Sequence, residues 1–122
     1  MSVDLITPEE QIDAVLGNAL WSLKNRHFGN DWDAIPRLQA LWTVSLEDVL
    51  AAAQARGLEG LVRDRPGGEG VFLLERQGGF EVRYMERAAS IHGVYFNQLG
   101  PASSHWIREV MKSYGLLKAD EC

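Results

Sequence analysis

His27, Asp31 and Asp33 form the tightest grouping of metal-ligand or acid–base residues in this 122-residue chain. A histidine and two carboxylates at such spacing can hold a divalent ion or activate a water. The two aspartates bracket Trp32, however, and aspartates at that spacing in a loop usually cap a helix and keep the loop solvated. The other histidines, His92 and His105, have no ligand-type residue at a recognised metal spacing. The single cysteine, Cys122, rules out a cysteine-based zinc site. The expectation is no metal and no cofactor. An enzyme reading would have to build its site on His27, Asp31 and Asp33, with His92 as a further candidate.

The other reactive types fare no better. Ser103, Ser104 and His105 are adjacent, but adjacency is not convergence, because successive helical residues point ~100° apart. They read as the polar first turn of a helix. Gly67-Gly68-Glu69-Gly70 precedes a strand pattern and Gly78-Gly79 lies between two. A phosphate loop needs its glycines between a strand and a helix N-terminus, so neither run fits. The expectation is a protein without a catalytic residue, not an enzyme.

Charge says more about partners. The net charge is −5, and residues 1–61 carry nine acids against four bases, so the whole excess lies there. An acidic surface repels nucleic acid and attracts a basic partner, although the same charge also serves solubility. A winged-helix DNA reader would need a basic third helix, and that segment carries Glu47 and Asp48 against Arg56. Neither DNA nor another nucleic acid is an expected ligand. Trp42 and Trp106 fall on apolar stripes and read as core. Trp21 and Trp32 fit no stripe; they either pack under a loop or stand exposed as interface anchors.

These residues must be positioned by a small set of elements. The length fits one domain with one core. The N-terminal segment MSVDLITPEE has no basic, apolar leader pattern, and no apolar run approaches the ~20 residues of a membrane span. With a lone terminal cysteine unable to form an internal disulfide, the pattern suits a reducing, cytoplasmic setting. Thr7-Pro8-Glu9-Glu10 is a helix start, and Ile12, Val15, Leu16, Ala19, Leu20 and Leu23 continue one face as a single first helix. Asp33 is placed to cap a second, short helix with Ile35, Leu38, Leu41 and Trp42 inward. Ser45 caps a third that stops at Gly57. The segment 61–65 reads as a short strand and 66–70 as a loop.

Residues 71–87 read as a hairpin. With Gly78-Gly79 as a two-residue turn, Gln77 faces Phe80 and Arg76 faces Glu81, while Leu73, Phe80, Val82 and Tyr84 share one side. Residues 91–98 supply a further strand. Gly100-Pro101 opens a last helix with Trp106, Ile107, Val110, Met111 and Tyr114 inward, closed at Gly115 by Leu116 folding back. The fold class is α+β: three N-terminal helices, an antiparallel meander of three or four strands, and a C-terminal helix packed on the sheet. Residues 1–122 form one domain, divided into a helical extension (1–44) and a helix–meander–helix unit (45–116).

Residues 45–111 resemble a family of bacterial polymorphic-toxin immunity proteins. The shared features are a leucine-bearing helix ending in glycine (SLEDVLAAAQARG), a glycine loop (PGGEG) and a strand ending in LLERQ. An aromatic strand follows, FEVRYMER with Tyr84, Glu86 and Arg87, and Phe96 closes the next strand before a helix. Ala88 stands where the pattern usually has glycine, and Gly100-Pro101-Ala102-Ser103 replaces an acidic helix start. The resemblance implies a cytoplasmic protein that does no chemistry and neutralises a cognate toxin by direct binding. A basic, nuclease-type toxin domain would suit the acidic first half, with no nucleic acid or membrane as partner; the competing binding role is a regulatory adaptor that binds another protein or DNA. The expected contact surface centres on Asp31, Trp32 and Asp33, with Glu59 and Glu69 as neighbours and the sheet edge at Glu86 and Arg87 as the next choice.

Overall fold

The structure is a computed structural model that describes residues 6–29, 31–65, 69–86 and 89–118. Its first helix, α1, runs Pro8–Leu16. The Thr7 hydroxyl accepts from the Glu10 amide at 3.1 Å and the Glu10 carboxylate accepts from the Thr7 amide at 3.3 Å, a reciprocal cap. The helix does not continue to Leu23 as the periodicity suggests. It stops at Gly17, Asn18 takes a left-handed φ of 54°, and α2 begins anew at Leu20 and ends at Phe28. The apolar spacing cannot register this break, because Val15 and Leu16 before it and Leu20 and Leu23 after it enter the same core. Asn tolerates the left-handed turn, and its side-chain amide donates to the Val71 carbonyl at 3.1 Å.

A 3-10 turn at Trp32–Ala34 leads into α3, Ile35–Leu41, with Pro36 in its first turn. Asp33 does not cap this helix. It lies inside the 3-10 turn, and Ala34 occupies the cap position without a side-chain hydrogen bond. Helix α4, Leu46–Arg56, keeps the expected Ser45–Asp48 cap and the left-handed Gly57 stop. Among the described residues four α-helices therefore precede the sheet, one more than the sequence pattern predicts. Gln11, fully buried on α1, clips this layer together. Its Nε2 donates to the Ile6 carbonyl at 2.9 Å, and its Oε1 accepts from the Thr43 and Val44 amides at 2.9 and 3.1 Å. Residues of 6–44 and of 45–116 enter one continuous apolar core.

After a 3-10 turn at Leu58–Leu61, the expected strand over 61–65 shrinks to a single parallel bridge of Arg63 to Leu74, with the Arg63 amide on the Leu73 carbonyl at 2.8 Å. Residues 66–68 of the glycine loop lie outside the described residues. The sheet is antiparallel in the order β1 (Gly70–Arg76), β2 (Gly79–Glu86), β3 (Ala89–Phe96).

The hairpin forms, with its turn one residue earlier than expected. Arg76 pairs with Gly79, leaving Gln77-Gly78 as the loop, so Gln77 does not face Phe80. Gly78 takes the positive φ of 83°. Gly79 is needed in the strand instead, since a Cβ there would sit 2.3 Å from the Phe96 carbonyl oxygen. Each strand residue's partner moves by two positions, which preserves the faces. Leu73 now opposes Val82 and Val71 opposes Tyr84 on the side that meets the last helix. Arg76 and Glu81 become diagonal rather than direct neighbours and remain bonded at 3.1 Å.

Helix α5, Leu99–Ser113, crosses all three strands and buries Ala102, Trp106, Ile107, Val110 and Met111. Its end follows the expected stop: Gly115 has φ 66°, and the Leu116 amide donates back to the Met111 carbonyl at 3.0 Å with its side chain buried. Trp106 is core, and its indole N–H donates to the Val71 carbonyl at 2.8 Å. Among the described residues no helix is long and apolar enough to cross a membrane.

Candidate binding site

Lys24 follows Trp21 by three residues on α2, so the two side chains share a face. Lys24 has no exposed surface at all. Its ammonium lies 3.9 Å from the Trp21 ring centroid and donates to the Gly29 carbonyl at 2.7 Å and the Asp31 carbonyl at 3.0 Å. A buried lysine is tolerated only when its charge is satisfied; here a π face and two carbonyls just past the C-terminal end of α2 do so. The same bonds tie Gly29 and Asp31 to one point. Trp32 follows at once and lays its ring on Trp21, centroids 4.6 Å apart and tilted by 53°. Trp32 is nevertheless 70% exposed. The question left open for the two tryptophans is thus answered separately for each: Trp21 is half-buried between Lys24 and Trp32, and Trp32 faces solvent on top of it.

The opposite wall comes from the end of α5 and the open ends of β1 and β2. Together with Trp21 and Trp32, the residues Glu69, Gly70, Met85, Ser113 and Tyr114 line a groove of about 510 Å³. A second cavity of about 180 Å³ shares Trp21, Glu69, Gly70, Ser113 and Tyr114 and extends inward to Asn18 and Val71. Burial pushes the Tyr114 phenol above its ordinary range. No lysine or arginine is among the described residues that line the groove.

The groove brings two of the expected contact residues, Trp32 and Glu69, to one place, with exposed Asp31 and Asp33 on either side of Trp32. Glu59 is not their neighbour. It lines a separate cavity of about 290 Å³ with Val62, Glu75, Phe80 and Leu99, toward the far end of β1. The placement failed because the 3-10 turn at Leu58–Leu61 and the Arg63 bridge hold Glu59 by the hairpin end of the sheet. Glu86 is exposed at the end of β2 and lines neither part of the groove; Arg87 lies outside the described residues.

No family model matches this chain, no curated protein matches it, and no solved structure matches it.

The residues weighed for chemistry disperse. His27 pairs with Glu10 at 3.4 Å, not with Asp31 or Asp33. The Glu10 carboxyl is held below its ordinary range, chiefly by the Thr7 amide and further by His27. Ser103 is buried and Ser104 exposed, while His105 turns to Tyr84 and Phe96. Among the described residues no three of His, Cys, Asp and Glu gather as a metal site would require.

One polar cluster went unread in the sequence, and a second was read only in part, as the Arg76–Glu81 pair. Tyr84 donates its hydroxyl to Glu109, lies 3.3 Å from His105 Nε2 and stacks on His92 at 4.3 Å. Burial, then the Glu109 carboxylate, pushes the Tyr84 phenol well above its ordinary range. The His105–Glu109 spacing of four on a helix is the signal that points to this pair. On the sheet face away from α5, the fully buried Glu81 carboxylate accepts from Arg83 and from Arg76. Arg83 holds the Glu81 carboxyl below its usual range against the effect of burial. Gly93 makes room for it, since a Cβ there would fall 2.2 Å from Glu81 Oε2.

Proposed function

We propose that this chain is a non-enzymatic binding protein of the immunity type, which captures a basic cytoplasmic toxin domain and neutralises it by direct contact. One observation carries the reading: Trp32 is exposed, yet its ring rests on Trp21 above a buried lysine. A large aromatic fixed in place before association loses little conformational freedom on binding, and tryptophan is the residue type most enriched among energetic anchors. The excess acid in residues 1–61, with Asp31 and Asp33 beside the anchor, suits a basic partner and would speed its approach. The resemblance of residues 45–111 to immunity proteins supplies the class of partner.

The test takes as partner the protein that this chain pulls down from its native cell; recovery of no basic protein would refute the reading. Trp32→Ala is expected to leave folding nearly intact and to weaken the complex by about 2 kcal/mol or more in calorimetric titration. Replacing Asp31 and Asp33 by lysine is expected to slow association and flatten its salt dependence in stopped-flow mixing. Unfolding of the Trp32 variant, or an unchanged association rate after charge reversal, would refute this site.

A further inference from the structure

We propose that the groove between Trp32 and Tyr114 is a receptor for one arginine side chain carried by the protein partner. This rests on the binding-protein reading above and adds the chemistry that the site recognises.

The lining is the starting point. Three aromatic rings, Trp21, Trp32 and Tyr114, and the Met85 thioether surround a single carboxylate, Glu69. Aromatic faces carry negative electrostatic potential and attract cations, most strongly from tryptophan. Trp21 already shows this within the molecule, since its one ring face takes the Lys24 ammonium at 3.9 Å. No cation stands over the ring of Trp32 or of Tyr114 among the described contacts. The Glu69 carboxylate has no hydrogen-bond or ion-pair partner among the described residues, nor do those of Asp31 and Asp33. The charge of Lys24 does not reserve the groove for an anion, because that ammonium is buried against Trp21 and committed to two carbonyls. Three free acids at and beside the groove outweigh it.

Shape selects arginine among cations. A guanidinium is planar, so it stacks on a ring and forks to a carboxylate at once, and it is more weakly hydrated than an ammonium. A volume of about 510 Å³ admits its whole side chain. The methylene stem would lie against Met85 and Trp21, leaving the head for Trp32 and Glu69.

The probe is Nα-acetyl-arginine amide, added to the full chain while the four tryptophan indole N–H signals are followed by NMR. The signals of Trp21 and Trp32 are expected to shift saturably, and those of Trp42 and Trp106 to stay in place. The neutral isostere Nα-acetyl-citrulline amide is expected to shift none of them. Glu69→Gln is expected to weaken the arginine response roughly five- to tenfold, and Trp32→Ala to abolish it. Equal binding of citrulline overturns the proposal, as does tighter binding of the lysine analogue, a response spread over all four indoles, or no response. The two readings fail separately. A silent probe with a toxin complex that still depends on Trp32 removes the arginine slot and leaves the binding function standing. A Trp32-dependent probe with a complex indifferent to Trp32 removes the immunity reading and leaves the slot.

Discussion

Lys24 sits beneath the exposed surface of this protein, and its role divides into a stem and a charge. The stem is packed without exposure, while the ammonium ties Gly29 and Asp31 together under Trp21. Methionine matches the stem and removes the charge, so Lys24→Met isolates the second role. Hydrogen bonds to charged groups contribute about 1.5–3 kcal/mol. The Gly29 and Asp31 positions are exposed enough for water to replace the lost donor, which places the expected cost at the lower end, ~1.5–2 kcal/mol by urea denaturation. The larger consequence is local. Without the ammonium the turn that carries Trp32 loses its anchor, and the near-ultraviolet circular dichroism of the Trp21–Trp32 pair is expected to fall while the far-ultraviolet spectrum is kept. Retention of the full aromatic signal would show that Lys24 does not set the position of Trp32.

Within the elements, the hairpin gives two adjacent glycines different jobs. Gly78 has a positive φ of 83° and open space where a side chain would go, whereas Gly79 lies against the Phe96 carbonyl. Gly78→Ala therefore meets only the backbone penalty, about 1–2 kcal/mol. Gly79→Ala must push the end of β3 away from β2, an overpacking against backbone that costs ~3 kcal/mol or more. The expected order, Gly79→Ala worse than Gly78→Ala in thermal or urea unfolding, is not what a Gly78-Gly79 turn would produce, where both would suffer alike. Equal costs would place the turn where the sequence pattern first suggests it.

Across the whole molecule, the buried Glu81 makes stability depend on acidity. Arg83, and with it Arg76, favours the charged carboxylate, so the folded pKa lies below the ordinary glutamate value of 4.5. The unfolded chain then binds this proton first. The stabilisation is fully present above about pH 4.5 and is lost as pH falls through the lower folded value. Glu81→Gln is expected to cost about 2 kcal/mol at pH 7 and to close that gap with the parent protein in acid. A gap that stays constant from pH 7 to pH 3 would show that Glu81 is not the group that titrates. Tyr84 acts at the other limit. Its raised pKa means the stabilisation is present below the ordinary phenol value of 10 and fades as pH rises past it. Tyr84→Phe is expected to flatten the alkaline limb.

Local chemistry alone determined much of this architecture. The caps at Thr7 and Ser45, the stops at Gly57 and Gly115, the faces of the hairpin and the inward stripe of the last helix depend on residues within a few positions of one another, and each is found where the sequence places it. The α+β class follows from the same signals. What the sequence could not express are relations between distant segments that share one core. The break at Asn18 is hidden because both sides of the turn bury the same kind of residue, and it is secured by the carbonyl of Val71 on another element. The need for glycine at position 79 comes from the Phe96 carbonyl, seventeen residues further on. Glu81 reads as a surface acid until Gly93 on the neighbouring strand opens the space that buries it. The candidate site shows the same division: Trp32 and its flanking acids were legible because an aromatic between charges in a loop is unusual, but the groove needs Tyr114 and Met85 from elements that meet only when the chain folds. Spacing along a chain encodes faces and ends, whereas a cavity is a property of surfaces brought together by burial, and no local pattern carries it.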